Sequence, residues 1–460
     1  MEGLEIREDL FSKTIENKDF RIDSQYYTQA PIKNPILKYK KIGDVIHSSQ
    51  YGISIEMNEN GHGYPIYRMN ELHNMLCDIE VNKYADITQD ECRRFALRNR
   101  DVLFNRTNSF EWVGRTGVYY QNDNIERTFA SYLVRFNPIE SVILPEYLCA
   151  FLNTKQGIRD IKRRARQSIN QTNVNPEEVK EIEIPILDMD FQLQIQEYFE
   201  RANLCRLKSL SLYKDAEMQL LSELGLKDWQ PNNAPVNIKQ LKESFLTSGR
   251  LDAEYYQPKY DEIENIIKNY KNGTEIIGDL FSQNTEVCDF KEEAYNYIEI
   301  GDINISDGTA KYNLISKEEL PDNAKRVLHK NDILISKVRP YRGAVSIIDF
   351  DDDKLIGSGA FTVLHEKTTY KKEVLQILLR TQVYRDWLLK WNVGSSYPVI
   401  KDEDILRLPI PLIPQNIQIE IAEYVQNSIA LRKEAKQLLE NAKLQVDDAI
   451  FTPPIWLRIN

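Results

Sequence analysis

Arg21-Ile22-Asp23-Ser24-Gln25-Tyr26-Tyr27 returns as Arg250-Leu251-Asp252-Ala253-Glu254-Tyr255-Tyr256, 229 residues later. Further along, Asp101-Val102-Leu103 returns as Asp332-Ile333-Leu334 at an offset of 231. Ile182-Glu183-Ile184-Pro185-Ile186 returns as Leu408-Pro409-Ile410-Pro411-Leu412 at 226, and Gln192–Phe199 returns as Gln418–Val425 at the same spacing. Four matches in one order at nearly one spacing do not arise from composition. The chain is two copies of one domain, each ending in a helix, which is a geometry for engaging two sites on one partner.

At 460 residues the chain exceeds what one core serves. Its 42% apolar and 28% charged residues describe an ordinary globular protein. No apolar run approaches the length of a membrane span, and Met1-Glu2-Gly3-Leu4-Glu5 lacks the regions of a signal peptide, so a cytoplasmic protein is expected. Five cysteines with no Cys-x-x-Cys pair read as reduced thiols and not as a metal site. The net charge of −11 argues on average against a nucleic-acid binder, but local fields depend on where the charges sit.

Each copy opens with an extended, Tyr-rich segment (20–40 and 250–260). Val102-Leu103-Phe104 and Ile333-Leu334-Ile335 read as strands behind turn formers. Further strands enter through Gly114 and Gly343, and Leu144–Leu152 and Val374–Leu389 carry helical spacing. The predicted class is mixed α/β (α+β), each domain holding a curved antiparallel sheet and followed by a long helix. Ile417, Ile421, Tyr424, Ser428, Leu431, Ala435, Leu438 and Ala442 alternate spacings of four and three, a coiled-coil rhythm. Phe191, Ile195, Tyr198, Ala202, Cys205, Ser209, Leu212 and Ala216 repeat it in the same register. Every seventh position is Ala or Ser, which lets two backbones approach. The two helices are therefore expected to pair as an antiparallel coiled coil; packing of each only on its own domain is the plainer alternative. Gly225 marks the stop of the first helix. The expected boundaries are a first domain at 1–190, a central helix at 191–226, a second domain at 227–414, a distal helix at 415–450 and a tail at 451–460.

Basic residues gather at matching places: 93–115 and 155–166 in the first copy, 325–342 and 380–390 in the second. Such clusters suit phosphate contacts. Between them lie polar loops. Asn105, Arg106, Thr107, Ser109 and Arg115 follow the first copy's strand, with Lys337, Arg339, Tyr341 and Arg342 in the same place in the second. Arg163, Arg164 and Arg166 belong to the second basic cluster, whose counterparts are Arg380, Arg385 and Lys390, and the loop that follows, with Gln167 and Asn170, matches the one with Ser395, Ser396 and Tyr397. Arg, Asn and Gln can each make two hydrogen bonds to one base edge. Plain surface turns would use many of the same residues. Equal scaffolds with unequal loops point to two heads reading two sequences. No phosphate-binding loop, dinucleotide fingerprint, nucleophile elbow or amino-methyltransferase signature occurs.

The Arg-x-Asp-x-x-Tyr-Tyr openings, the Asp-Val/Ile-Leu strands and the proline runs before each long helix resemble the specificity subunit of Type I restriction–modification enzymes, over roughly residues 20–450. The resemblance implies two target-recognition domains gripping halves of a split double-stranded DNA sequence, with the helices as a spacer. It implies no catalysis and no cofactor in this chain. S-adenosylmethionine would sit on two methyltransferase (modification) subunits, and ATP with magnesium on restriction/translocase subunits. The rivals are a two-headed DNA-recognition module of another defence or methylation system, a coiled-coil scaffold that binds no DNA, and a stand-alone DNA enzyme.

Overall fold

The computed structural model describes residues 8, 11–12, 21–169, 171–393 and 397–451. They divide into two units, Met1–Leu207 with Arg432–Asn460, and Lys208–Leu431. Each unit takes part of both long helices, the central one Met189–Glu223 and the distal one Gln415–Phe451.

In the first unit a six-stranded sheet runs in the order 46–51, 133–138, 101–105, 116–119, 76–77, 72–73. A second sheet, ordered 128–129, 64–67, 84–85, 57–58, contains the parallel pair of its first two strands. The second unit repeats the plan with 281–283, 361–366, 333–336, 345–347 and with 313–316, 294–298, 355–358, 324–327. There too one pair, 294–298 with 355–358, is parallel. The sheets are thus mixed, chiefly antiparallel.

The quoted repeats fold alike because each closes on itself. Arg21 makes two hydrogen bonds to Asp23 (2.8 and 3.0 Å) and lies over the Tyr26 ring at 4.7 Å. The Tyr27 hydroxyl donates to the Arg21 carbonyl at 2.6 Å. Arg250 does the same with Asp252 (2.8 and 2.6 Å) and Tyr255 (4.6 Å), and Tyr256 donates back to the Arg250 carbonyl at 3.0 Å. These segments are therefore not extended as their composition suggests: Ser24–Thr28 is a helical turn capped by Asp23, and Ala253–Tyr256 a 3-10 turn. Asp101 and Asp332 each follow a residue in the left-handed region, Arg100 (φ 69°) and Asn331 (φ 76°). Each carboxylate accepts the backbone N–H three residues back, from Arg98 at 2.8 Å and His329 at 2.9 Å, and so starts the strand. The proline runs are strands as well, 183–185 pairing with 39–41 and 409–411 with 274–276.

Two buried glutamines then fix each domain to its long helix. Gln192 donates to the Leu187 and Val142 carbonyls (3.0 and 3.2 Å) and accepts from the Leu144 N–H at 2.8 Å. Gln418 donates to the Ile413 carbonyl at 2.7 Å and accepts from the Lys371 N–H at 2.9 Å. Leu144 and Lys371 are the caps of helices Pro145–Asn153 and Lys372–Arg380. The helical spacing over Val374–Leu389 is not one helix: it breaks at Thr381, whose hydroxyl accepts from the Tyr384 N–H and starts Gln382–Leu388. Thr154 makes the same break before Lys155–Arg164.

The central and distal helices pair antiparallel within each unit. In the first, Gln445 donates to the Tyr198 hydroxyl at 2.8 Å, and Arg201 faces Glu434. In the second, the Ser209 and Ser428 hydroxyls lie 2.9 Å apart, and the Ser428 hydroxyl also donates to the Ser209 carbonyl at 2.9 Å. A side chain reaching a carbonyl of the opposite helix requires close backbones, and serine is short enough. Ala202, Ser209, Ala216, Ser428, Ala435 and Ala442 are all buried. The helices also pack on the domains, since Ile195, Phe199, Ala442 and Val446 join the first core, and Ala216, Leu220, Ile421 and Val425 the second. Both packing arrangements coexist. The central helix ends at Gly225 (φ 69°), where the Leu226 N–H bonds the Leu221 carbonyl and the Gly225 N–H that of Ser222, a Schellman cap.

Candidate nucleic-acid interface

In the first unit the two polar loops meet. The hairpin of 166–167 and 172–173 adds to strand 107–108, making a three-stranded sheet. The Thr107 hydroxyl donates to Asn173 Oδ1 at 2.6 Å. Asn105 and Thr107 are buried, contrary to the expectation of them as exposed readers. Asn105 donates to the Trp112 carbonyl at 3.2 Å and accepts from the Thr107 N–H, so it holds the loop together. Ser109 is exposed and opens a tight turn whose Phe110 and Trp112 side chains are more than a third exposed. Arg115 lies on the Trp112 ring at 3.5 Å, its guanidinium pulled below the usual range by burial despite Glu111. Arg106 lies over the Tyr51 ring at 5.0 Å.

The second basic cluster faces largely inward. Lys162 donates to the carbonyls of Phe110, Glu111 and Val113, and so pins the turn from helix Lys155–Arg164. Burial draws its ammonium down to about 8, with Glu111 opposing and Arg115 adding to the shift. Arg163 and Arg164 bind Asp160 and lie 4.5 and 5.7 Å from the Tyr26 ring, and their side chains are almost covered. Arg159 donates to the Thr28 and Gln29 carbonyls. Arg163 and Arg164 are therefore not free phosphate contacts: they dock the opening motif. Arg166 and Gln167 are exposed on the hairpin, Arg166 paired with Glu178 at 3.0 Å. Asn170 lies outside the described residues.

The second unit arranges the same place differently. Strand 333–336 leads into a 3-10 turn, Pro340–Arg342, set between two left-handed residues, Arg339 (φ 50°) and Gly343 (φ 68°). Lys337 pairs with Asp402 at 3.1 Å, and Asp402 also accepts from the Thr362 hydroxyl. The Arg339 N–H bonds the Pro398 carbonyl at 2.8 Å, and its guanidinium lies 5.6 Å from the Tyr397 ring. Tyr341, Arg342 and Tyr397 are exposed. Among the described residues the Arg342 side chain makes no hydrogen bond or ion pair. Ser395 and Ser396 lie outside the described residues. Arg380, counted with the basic residues in the sequence, donates to the Gly343 and Ile305 carbonyls, and Lys390 pairs with Glu264. Sequence reasoning missed Tyr51 and the role of Lys162: Tyr51 stands on a strand without a motif, and the carbonyls that Lys162 binds lie about fifty residues away in the chain.

A duplicated α/β scaffold presenting two unlike polar loop sets defines a tandem recognition protein. Residues 37–205 and 269–441 each match the Type I restriction modification DNA specificity domain, and the chain belongs to that family. It is a Type I restriction–modification specificity subunit with two recognition domains. It is 23% identical, over 91% of its length and 93% of the relative's, to the putative type I restriction enzyme MjaX specificity subunit of Methanocaldococcus jannaschii. It is 22% identical to the EcoKI specificity subunit of Escherichia coli over 48% of this chain and 45% of that one. Among solved structures, the Type-I restriction-modification S subunit from M. genitalium aligns over 92% of this chain and 98% of its own, at 13% identity and a TM-score of 0.41. No helix among the described residues is long and apolar enough to cross a membrane.

Proposed function

We propose that this chain is the non-catalytic reader of its complex, gripping a bipartite double-stranded DNA target in the cytoplasm. The first half-site meets the Ser109–Trp112 turn, Arg106, Arg115 and the hairpin of Arg166 and Gln167. The second meets Arg339, Tyr341, Arg342 and Tyr397. Asn105, Thr107, Lys162, Arg163 and Arg164 hold these loops in place. Two methyltransferase subunits, carrying S-adenosylmethionine, dock on this chain, and an ATP- and magnesium-dependent restriction/translocase subunit joins them. The observation that carries the reading is the pairing of repeated scaffolds with unrepeated loops. Phosphate contacts would supply salt-dependent affinity, and the loops the sequence preference.

The test is co-purification of the tagged chain with the proteins of its own operon, followed by selection from random oligonucleotides. The expected result is a methyltransferase partner and a split motif with a fixed gap. A soluble chain that brings down no methyltransferase and selects no motif would overturn the reading in favour of a scaffold.

A further inference from the structure

We propose that Arg106 reads a guanine in the first half of the target, with Tyr51 as the platform that aims it. The inference rests on the DNA-reading function above and goes beyond it in naming the base and the device.

Every part of Arg106 is held except the end of its side chain. Its backbone N–H donates to the Tyr132 carbonyl at 3.0 Å, and its carbonyl accepts from the Val174 N–H at 2.9 Å. Its Nε donates to the Ser131 carbonyl at 3.0 Å. The guanidinium lies 5.0 Å from the centre of the Tyr51 ring. Tyr51 ends the edge strand 46–51, fixed by pairing with Val134, and remains 47% exposed. Among the described residues the two terminal nitrogens of Arg106 donate to nothing, and neither is a buried unsatisfied atom, so both reach solvent.

A guanidinium with Nε satisfied and one face against a ring presents its remaining edge as a fixed fork. Two parallel N–H groups match the O6 and N7 acceptors of guanine in the major groove, and no other base offers that pair. The restraints are already in place before binding, so little freedom is lost when the contact forms. Arg163 and Arg164, by contrast, each donate one terminal nitrogen to Tyr26 as well as Nε to Asp160, and their side chains are almost covered, while Arg115 is folded onto Trp112. A phosphate contact by Arg106 is the competing role. It would use the charge and not the fork, and would change affinity for all sequences equally.

The experiment is random-oligonucleotide selection, then affinity on single-base variants of the selected site. It uses the full chain in complex with its modification subunits, as wild type, Arg106→Lys, Tyr51→Ala and Tyr51→Phe. The expected result is one guanine position in one half, preferred by about 5- to 150-fold, the range of one two-pronged base contact. Arg106→Lys keeps the charge and should flatten that position alone. Tyr51→Ala should weaken it, and Tyr51→Phe, which keeps the ring, should preserve it. Unchanged preferences at the other half serve as the control for folding. Two results would overturn the inference while leaving the DNA-reading function intact: a wild-type motif that Arg106→Lys leaves unaltered, or an equal loss on every sequence. A wild type that selects no motif at all would instead overturn the function on which the inference rests.

Discussion

The two units are alike where they are built and unlike where they are exposed. The Arg-Asp-Tyr knot, the aspartate that starts the strand, the proline strand and the buried glutamine recur with the same hydrogen bonds. The loops beyond the strand do not. One is a turn pinned by Lys162 and flanked by a hairpin; the other is a 3-10 turn between two left-handed residues. Repeated contacts within each unit keep the scaffold constant while the loops are free to diverge, so one framework can carry two readings.

The largest expected effect comes where the scaffold itself differs. Glu146 is fully buried and held by Arg100 at 2.8 Å through both oxygens, with Tyr120 beside it. The second unit has Asn331 where the first has Arg100, and its buried Glu373 is met by Gln426 at 2.7 Å and, more distantly, by Lys372 at 3.8 Å. Arg100→Asn keeps a residue tolerant of positive φ and removes the buried charge partner. It should cost about 3–5 kcal/mol in urea unfolding. A loss below roughly 1 kcal/mol would show that solvent reaches Glu146.

Gln192→Leu and Gln418→Leu probe what the units share. Each strands the backbone N–H at the start of the neighbouring helix, that of Leu144 or of Lys371, and this shared loss should cost about 1–3 kcal/mol. Similar losses for the two are expected, and a loss in one alone would break the equivalence. Tyr27→Phe and Tyr256→Phe each remove one hydrogen bond and should cost about 0.5–1.5 kcal/mol apiece.

The smallest effect is specific to the first unit. Lys162 is drawn to about 8 by burial, below the ordinary lysine range. Between those values the unfolded chain holds more protons than the native one, so this group makes stability rise with pH across that window. Below pH 8 its burial as a cation is a full penalty, relieved as the native ammonium deprotonates. Lys162→Met should erase that slope in denaturation curves taken from pH 8 to 10, and a slope that persists unchanged in the variant would contradict its assignment to Lys162.

How far the sequence could be read follows from the range of each interaction. The Schellman glycine and the seam of Ala and Ser were legible because their partners are close in sequence or fixed by heptad rhythm, whereas the opening motifs were legible as a repeat but not as the helical turns they form. Ser209 and Ser428 fall at matching seam positions, and they are the pair that touch. The direction of the basic residues was not legible. Arg163 and Arg166 stand in one cluster, yet Arg163 turns inward to Tyr26, 137 residues away, while Arg166 is exposed on the hairpin. A run of charges shows how many there are and not which have internal partners. The break at Thr381 was missed for a related reason: the apolar periodicity continues across it, and only the threonine's cap signals the new helix.

The central claim is that one scaffold carries two independent readers. Selected DNA motifs of the complex with Arg106→Ala and with Arg339→Ala, compared with wild type, test it most directly. The account predicts that each substitution relaxes preference in a different half of the split motif, at about 1–3 kcal/mol per lost base contact, and leaves the gap unchanged. Relaxation of both halves by either substitution, or of the same half by both, would contradict it.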